Sequence, residues 1–105
     1  MTISTTTIKN AARAIECDLW TDSDGANYLA KDGAILRRWE PETSSADAFE
    51  LMVRTGIQVE HWRDIECVVA FYRADFAQRV ANTDDRGHDY RSAILLCAAK
   101  IGAAQ

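Results

Sequence analysis

Ile57–Ala81 reads IQVEHWRDIECVVAFYRADFAQRVA, and the fold turns on whether this stretch is strand or helix. Ile57 and Val59 alternate with Gln58 and Glu60, the period of a strand with one buried face. Arg63-Asp64 suits a turn. Ile65–Tyr72, IECVVAFY, is β-branched and aromatic and is apolar on both faces over its second half, as a central strand is. After a turn near Arg73–Asp75, Phe76–Ala81 reads as a third strand. A rival stays open: Ile65, Val68, Val69, Tyr72, Phe76 and Val80 also fit one helical face, so residues 64–81 could form one long helix. The β-branched density and the preceding alternation favour a three-stranded antiparallel meander.

Upstream, Trp39–Gly56 reads WEPETSSADAFELMVRTG. Pro41 keeps the chain extended, Ser44 is placed to cap a helix, and Asp47 at the third helical position makes a capping-box variant. Phe49, Met52 and Val53, backed by Ala46, mark the expected core face, and Thr55-Gly56 gives the stop. Trp39 is expected in the core or as a staple. Between Tyr28 and Arg38, YLAKDGAILRR, the Asp32-Gly33 pair flanked by apolar runs predicts a short β-hairpin. Before it, Trp20–Asn27, WTDSDGAN, reads as a turn-rich acidic loop. Asp22-Ser23-Asp24-Gly25 starts like a calcium loop, but the twelfth residue from Asp22 is Gly33 and not a glutamate, so a tight polar turn is expected.

At the N-terminus, Ile8, Ala11, Ala12, Ile15 and Leu19 predict a packing helix from about residue 7 to 18, with residues 1–6 frayed. At the other end, Asn82–Asp89, NTDDRGHD, reads as a loop whose Asp89 caps a last helix. That helix carries Tyr90, Ala93, Ile94, Leu96, Cys97 and Ile101, lies close to a neighbour through Ala98 and Ala99, and stops at Gly102. The whole is a single α+β domain, residues 1–105: helix, short hairpin, helix, three-stranded antiparallel meander and a C-terminal helix packed on the sheet. Its core is expected around Phe49, Met52, Val69, Phe71, Ile94 and Cys97.

The composition narrows the function classes. Of 105 residues, 48% are hydrophobic and 27% charged, which excludes wholesale disorder. The net charge of −4 sits in the first half, where residues 1–50 hold nine acids and five bases against seven of each in 51–105. That balance argues against direct nucleic-acid binding and favours a basic protein partner, or a nucleic-acid-binding one whose basic groove an acidic surface could fill. Cys17, Cys67 and Cys97 lack disulfide or zinc spacing, so reduced thiols in a cytoplasmic protein are expected. No run of about 18 apolar residues signals a membrane span.

Candidate chemistry is sparse. Only His61 and His88 are available to a Cys67 or Cys97 nucleophile, with Asp64 or Asp89 as orienter, and both cysteines fall on expected core faces. No phosphate loop, nucleophile elbow or zinc-protease motif occurs. No catalytic residue, metal or cofactor is therefore assigned, and a non-enzymatic role is expected.

The residues Trp39-Glu40-Pro41 followed by Ser44-Ser45-Ala46-Asp47-Ala48-Phe49 resemble the signature of small phage and prophage "ABA sandwich" proteins. That signature is W-x-P, a few polar residues, then an A-x-x-A-W/F helix. Asn10–Trp20, Ile57–Glu60, Val68–Phe71 and Tyr90–Ala99 are similar to the family's first helix, strands and closing helix. The resemblance strengthens the meander reading and implies a phage origin; the family brings no catalytic residues with it.

Together these readings predict a phage accessory protein that binds and blocks a host protein, with host defence such as CRISPR–Cas as the first target class. A binder that sequesters a nucleotide signal, and a homo-oligomeric structural protein, are the alternatives; a homodimer is compatible with either role. Binding is expected on the Trp20–Arg38 segment, which is free of core duty: Trp20 or Tyr28 as anchor, Asp22 and Asp24 as charges, with Arg37 and Arg38 beside them. Trp62, Asp84 and Asp85 form the secondary candidate.

Overall fold

In the computed structural model, which describes residues 3–105, Ser4 opens the first helix by accepting the Thr7 N–H on its hydroxyl, 3.2 Å. Helix α1, Thr5–Ala14, is four residues shorter at its C-terminal end than its periodicity suggests. The cause is Glu16, whose φ of 59° puts it in the left-handed region. Its N–H and that of Cys17 turn back to the carbonyls of Arg13 and Ala12, closing the helix with a motif that usually signals itself by glycine. Leu19, expected on the helix, therefore lies in a strand. Of the lead expected to be frayed, Ile3 is buried and Ser4 to Thr6 cap and begin α1; Met1 and Thr2 lie outside the described residues.

The chain then builds a sheet of three strands where a two-stranded hairpin is predicted. Strands β1, Asp18–Thr21, β2, Asn27–Lys31, and β3, Ala34–Arg38, pair antiparallel in that order. The predicted Asp32-Gly33 turn joins β2 to β3, both residues having left-handed φ (53° and 82°), as this turn requires. The acidic stretch is split: Trp20 and Thr21 are strand, and only Asp22–Ala26 is turn.

Helix α2, Ser45–Thr55, has the predicted ends. The Ser44 hydroxyl accepts the Asp47 N–H, and Gly56 (φ 82°) closes it. The capping box is half formed, because the Asp47 carboxylate accepts the Glu40 N–H, 2.8 Å, in place of that of Ser44. Its buried face is not the predicted one. Ala48 and Leu51 are buried and Met52 half-buried, while Ala46, Phe49 and Val53 are exposed.

The decisive stretch is strand. β4, Gln58–Trp62, β5, Cys67–Tyr72, and β6, Phe76–Ala81, form the antiparallel meander in that order, with a 3-10 turn at Arg63–Ile65. Helix α3, Arg86–Ala103, starts earlier than predicted because Asp85, and not Asp89, is its cap: the Asp85 carboxylate accepts the His88 N–H, 3.0 Å. Nor does Gly102 end it. The helix runs on to Ala103, and Gly102 lies buried where α3 crosses α1; a Cβ there would stand 1.6 Å from the Asn10 carbonyl oxygen.

Helix α3 packs on β5 and β6, and α1 and α2 each pack on α3. The core holds Ile8, Ala11, Ala12, Leu51, Val68, Ala70, Ile94, Leu95 and Cys97, and reaches the first sheet through Leu29 and Trp39. Of the six predicted core residues, Ile94 and Cys97 lie in this core and the half-buried Met52 packs against it. Val69 and Phe71, buried and half-buried, sit on the opposite face of β5 from Val68 and Ala70, and Phe49 is exposed. Among the described residues no helix is long and apolar enough to cross a membrane.

Candidate functional site

The register of the first sheet decides which side chains share a surface. Trp20 stands opposite Tyr28, and Tyr28 opposite Arg38, so one row crosses all three strands. The neighbouring row, Leu19, Leu29 and Arg37, points the other way. Leu29 is buried, and Arg37 bonds the Asp47 and Glu50 carboxylates of α2. The Trp20 row accordingly faces solvent. Trp20 is 46% exposed, its ring tilted at 54° against that of Tyr28 with centroids 5.3 Å apart. The alternation adds Asp18 and Ile35 to this face, and Leu36 is the extra residue of a bulge in β3. Ile35 and Leu36 are both more than half exposed.

At one end of the row, Asp22 organises the turn. One carboxylate oxygen accepts the N–H groups of Asp24 and Ala26, each at 2.9 Å, and the other accepts the Tyr28 hydroxyl at 3.3 Å. This is the tight polar turn expected of D-x-D-G, with the Asp22 oxygens turned onto the chain itself. Asp24 remains exposed at its tip. At the other end Arg38 lies 3.7 Å from Glu40, whose carboxylate also accepts the Asn27 N–H.

Of the primary candidates, the structure therefore brings together Trp20, Asp22, Tyr28 and Arg38, with Asp24 alongside. Arg37 is separated from them by the sheet. Its guanidinium is part of the frame that ties β3 to α2: burial works against its charge, and the hydrogen-bonded Asp47 and Glu50 more than offset that. Sequence reasoning missed Asp18 and Ile35. Strand alternation through Trp20 could have found Asp18, but only the pairing register could find Ile35.

The secondary candidates lie at one end of the meander. Trp62 is 44% exposed and donates to Glu60, 3.2 Å, while Asp85 is occupied as the cap of α3 and Asp84 is exposed. Beside them His61 accepts from Arg86, 2.7 Å, and meets Asn82 at 3.2 Å. Desolvation, then the charges of Arg86 and Arg63, hold the His61 pKa below its ordinary value. Asp89, fully buried, accepts the Thr83 hydroxyl at 2.6 Å and the Thr83 N–H at 2.9 Å.

The three cysteines are buried, and none is hydrogen-bonded to a histidine. Burial pushes the Cys97 thiol up, against a smaller opposing effect of Lys100. Such a thiol is a poor nucleophile. His88 meets Ser92 at 3.4 Å, too long and too lightly supported for a nucleophile–base pair. Comparison of the chain with protein-family models, curated proteins and solved structures finds no match.

Proposed function

We propose that this chain is a non-enzymatic accessory protein of phage or prophage origin that binds and blocks a host protein through the outward face of β1–β3. The observation that carries the reading is the row Trp20–Tyr28–Arg38, with Ile35 beside it, on a sheet face that the core does not use. Two aromatics in tilted contact give a rigid apolar surface at low entropic cost, and flanking charges steer the encounter. Asp18 and Asp24 make that steering acidic, which suits a basic partner surface. The resemblance of Trp39–Phe49 to phage ABA-sandwich proteins supports the origin, and defence proteins with basic nucleic-acid grooves are the first class to test.

The test is capture from host lysate followed by kinetics with the purified partner. Asp18→Lys with Asp24→Lys is expected to slow association and flatten its salt dependence. Asp22 is left intact because its carboxylate builds the turn. Trp20→Ala is expected to speed dissociation at least tenfold. A partner whose binding ignores all three changes would remove this face from the interface.

A further inference from the structure

Helix α2 buries Leu51, yet two of its apolar residues on another face have nothing to cover them. Phe49 and Val53, one turn apart, are each 61% exposed. The reason lies in the sheet. The meander ends at β4, so no strand lies beyond that edge. Between β4, α2 and α3 the chain leaves a groove of about 550 Å³, walled by Phe49, Met52, Ile57, Val59, Tyr90 and Ile94. Among the described residues no other group hydrogen-bonds to the β4 backbone on the side away from β5. Alternate N–H and C=O groups along Gln58–Trp62 are thus presented beside an apolar trough.

Charge narrows what could lie there. Arg91 lines the groove and donates to the Glu42 carbonyl, 3.0 Å, and to the Ser45 hydroxyl, 3.2 Å. Those bonds fix its guanidinium in place. No carboxylate stands within 4.0 Å of it among the described residues. An occupant that satisfies the groove must therefore supply three things: strand hydrogen bonds to β4, apolar side chains at alternate positions, and a carboxylate for Arg91.

We propose that this groove binds an extended acidic peptide segment of a partner protein, added to β4 as a fourth strand. Apolar side chains at every second position would fill the trough and a glutamate or aspartate would pair with Arg91. Backbone pairing would give affinity, and the trough and Arg91 would give selectivity. The site is distinct from the Trp20 face and goes beyond the blocking role proposed for it.

The probe is a terminally blocked heptapeptide, Glu-Thr-Val-Thr-Leu-Thr-Glu, which places a glutamate near Arg91 in either strand direction. Titrated into the full chain and followed by backbone NMR, it is expected to shift Gln58–Trp62, Tyr90 and Ile94 with micromolar affinity. The same peptide N-methylated at alternate residues should not bind, and replacing both glutamates by lysine should cost at least tenfold. Arg91→Gln should cost at least tenfold too; should that variant unfold, Phe49→Ser, at an exposed position, is expected to weaken binding with an unchanged melting temperature. No shifts at millimolar peptide would overturn the proposal, as would equal binding of the N-methylated or lysine peptides. Sedimentation showing a dimer that Val59→Lys dissolves would also overturn it, by giving the edge to a second copy of the chain.

Discussion

Leu51 and Phe49 stand two residues apart on α2, and their fates are opposite. Leu51 is fully buried against the core, whereas Phe49 projects over the open edge of β4. Leu51→Ala should therefore cost about 2–5 kcal/mol, and Phe49→Ala no more than about 0.5 kcal/mol, in urea unfolding. The sequence could not separate the two faces, since Ala48-Leu51-Met52 and Phe49-Met52-Val53 have equally good helical spacing. Side-chain size favoured the wrong one. Asp89 is a similar case. NTDDRGHD holds several residues able to cap, and only the folded chain shows that Asp85 does so while Asp89 is buried under Thr83. Asp89→Ala leaves the Thr83 N–H and hydroxyl without their acceptor and should cost about 1–3 kcal/mol. Burial by itself would raise the Asp89 carboxyl; the Thr83 hydrogen bonds, Arg86 and His88 more than offset it, leaving the pKa below the ordinary 3.8. Because the folded form binds its proton later than the unfolded form, this stabilisation is present above pH 3.8 and is lost as the pH falls below it. His61 adds an upper window with the same sign, since its pKa is lowered from 6.5: stability should fall as pH drops below 6.5. Urea midpoints measured against pH should show both declines. His61→Gln should remove the upper one alone.

Elements were legible where their signals are local. Phe76–Ala81 has its predicted bounds, the Asp32-Gly33 turn is in place, and Ser44 and Gly56 bound α2 as expected. Strand β1 escaped because four residues, mostly exposed, show too little alternation to stand out from an acidic loop. The α1 stop escaped because Glu16 takes a conformation for which its side chain gives no signal. Gly102 misled in the opposite sense. A glycine near the end of an apolar helix reads as a terminator, yet here it lets two helices touch. Since the added methyl of Gly102→Ala would meet the Asn10 backbone, α1 and α3 must part to accept it. A loss of about 1–3 kcal/mol is expected, the usual cost of overpacking. Ala103→Ser, exposed one residue later, should be near neutral and serves as the control.

At the scale of the molecule the two sheets are held unequally. The meander lies under α3, which also receives α1 and α2, so β5 is covered by the main core. The first sheet is joined to that body by fewer ties. Leu29 and Trp39 reach into the core, β1 touches α1, and Arg37 links β3 to Asp47 and Glu50 of α2. Stability within a domain is set locally by such ties, so β2 and β3 should open at lower free energy than β5 and α3. Amide hydrogen exchange should show it: the β2–β3 ladder should exchange faster than Val68–Ala70, whose opening approaches global unfolding. Arg37 tests the cause. Arg37→Met keeps the stem but removes both ion pairs, and should speed exchange in Ala34–Arg38 while leaving Val68–Ala70 within about twofold. Uniform acceleration in both sheets would mean that they open as one unit and that Arg37 contributes only to global stability. A selective effect would place the Trp20–Tyr28–Arg38 face on the more labile part of the fold, where a partner could tighten it on binding. In that case the complex should restore slow exchange in β3 even in the Arg37→Met variant.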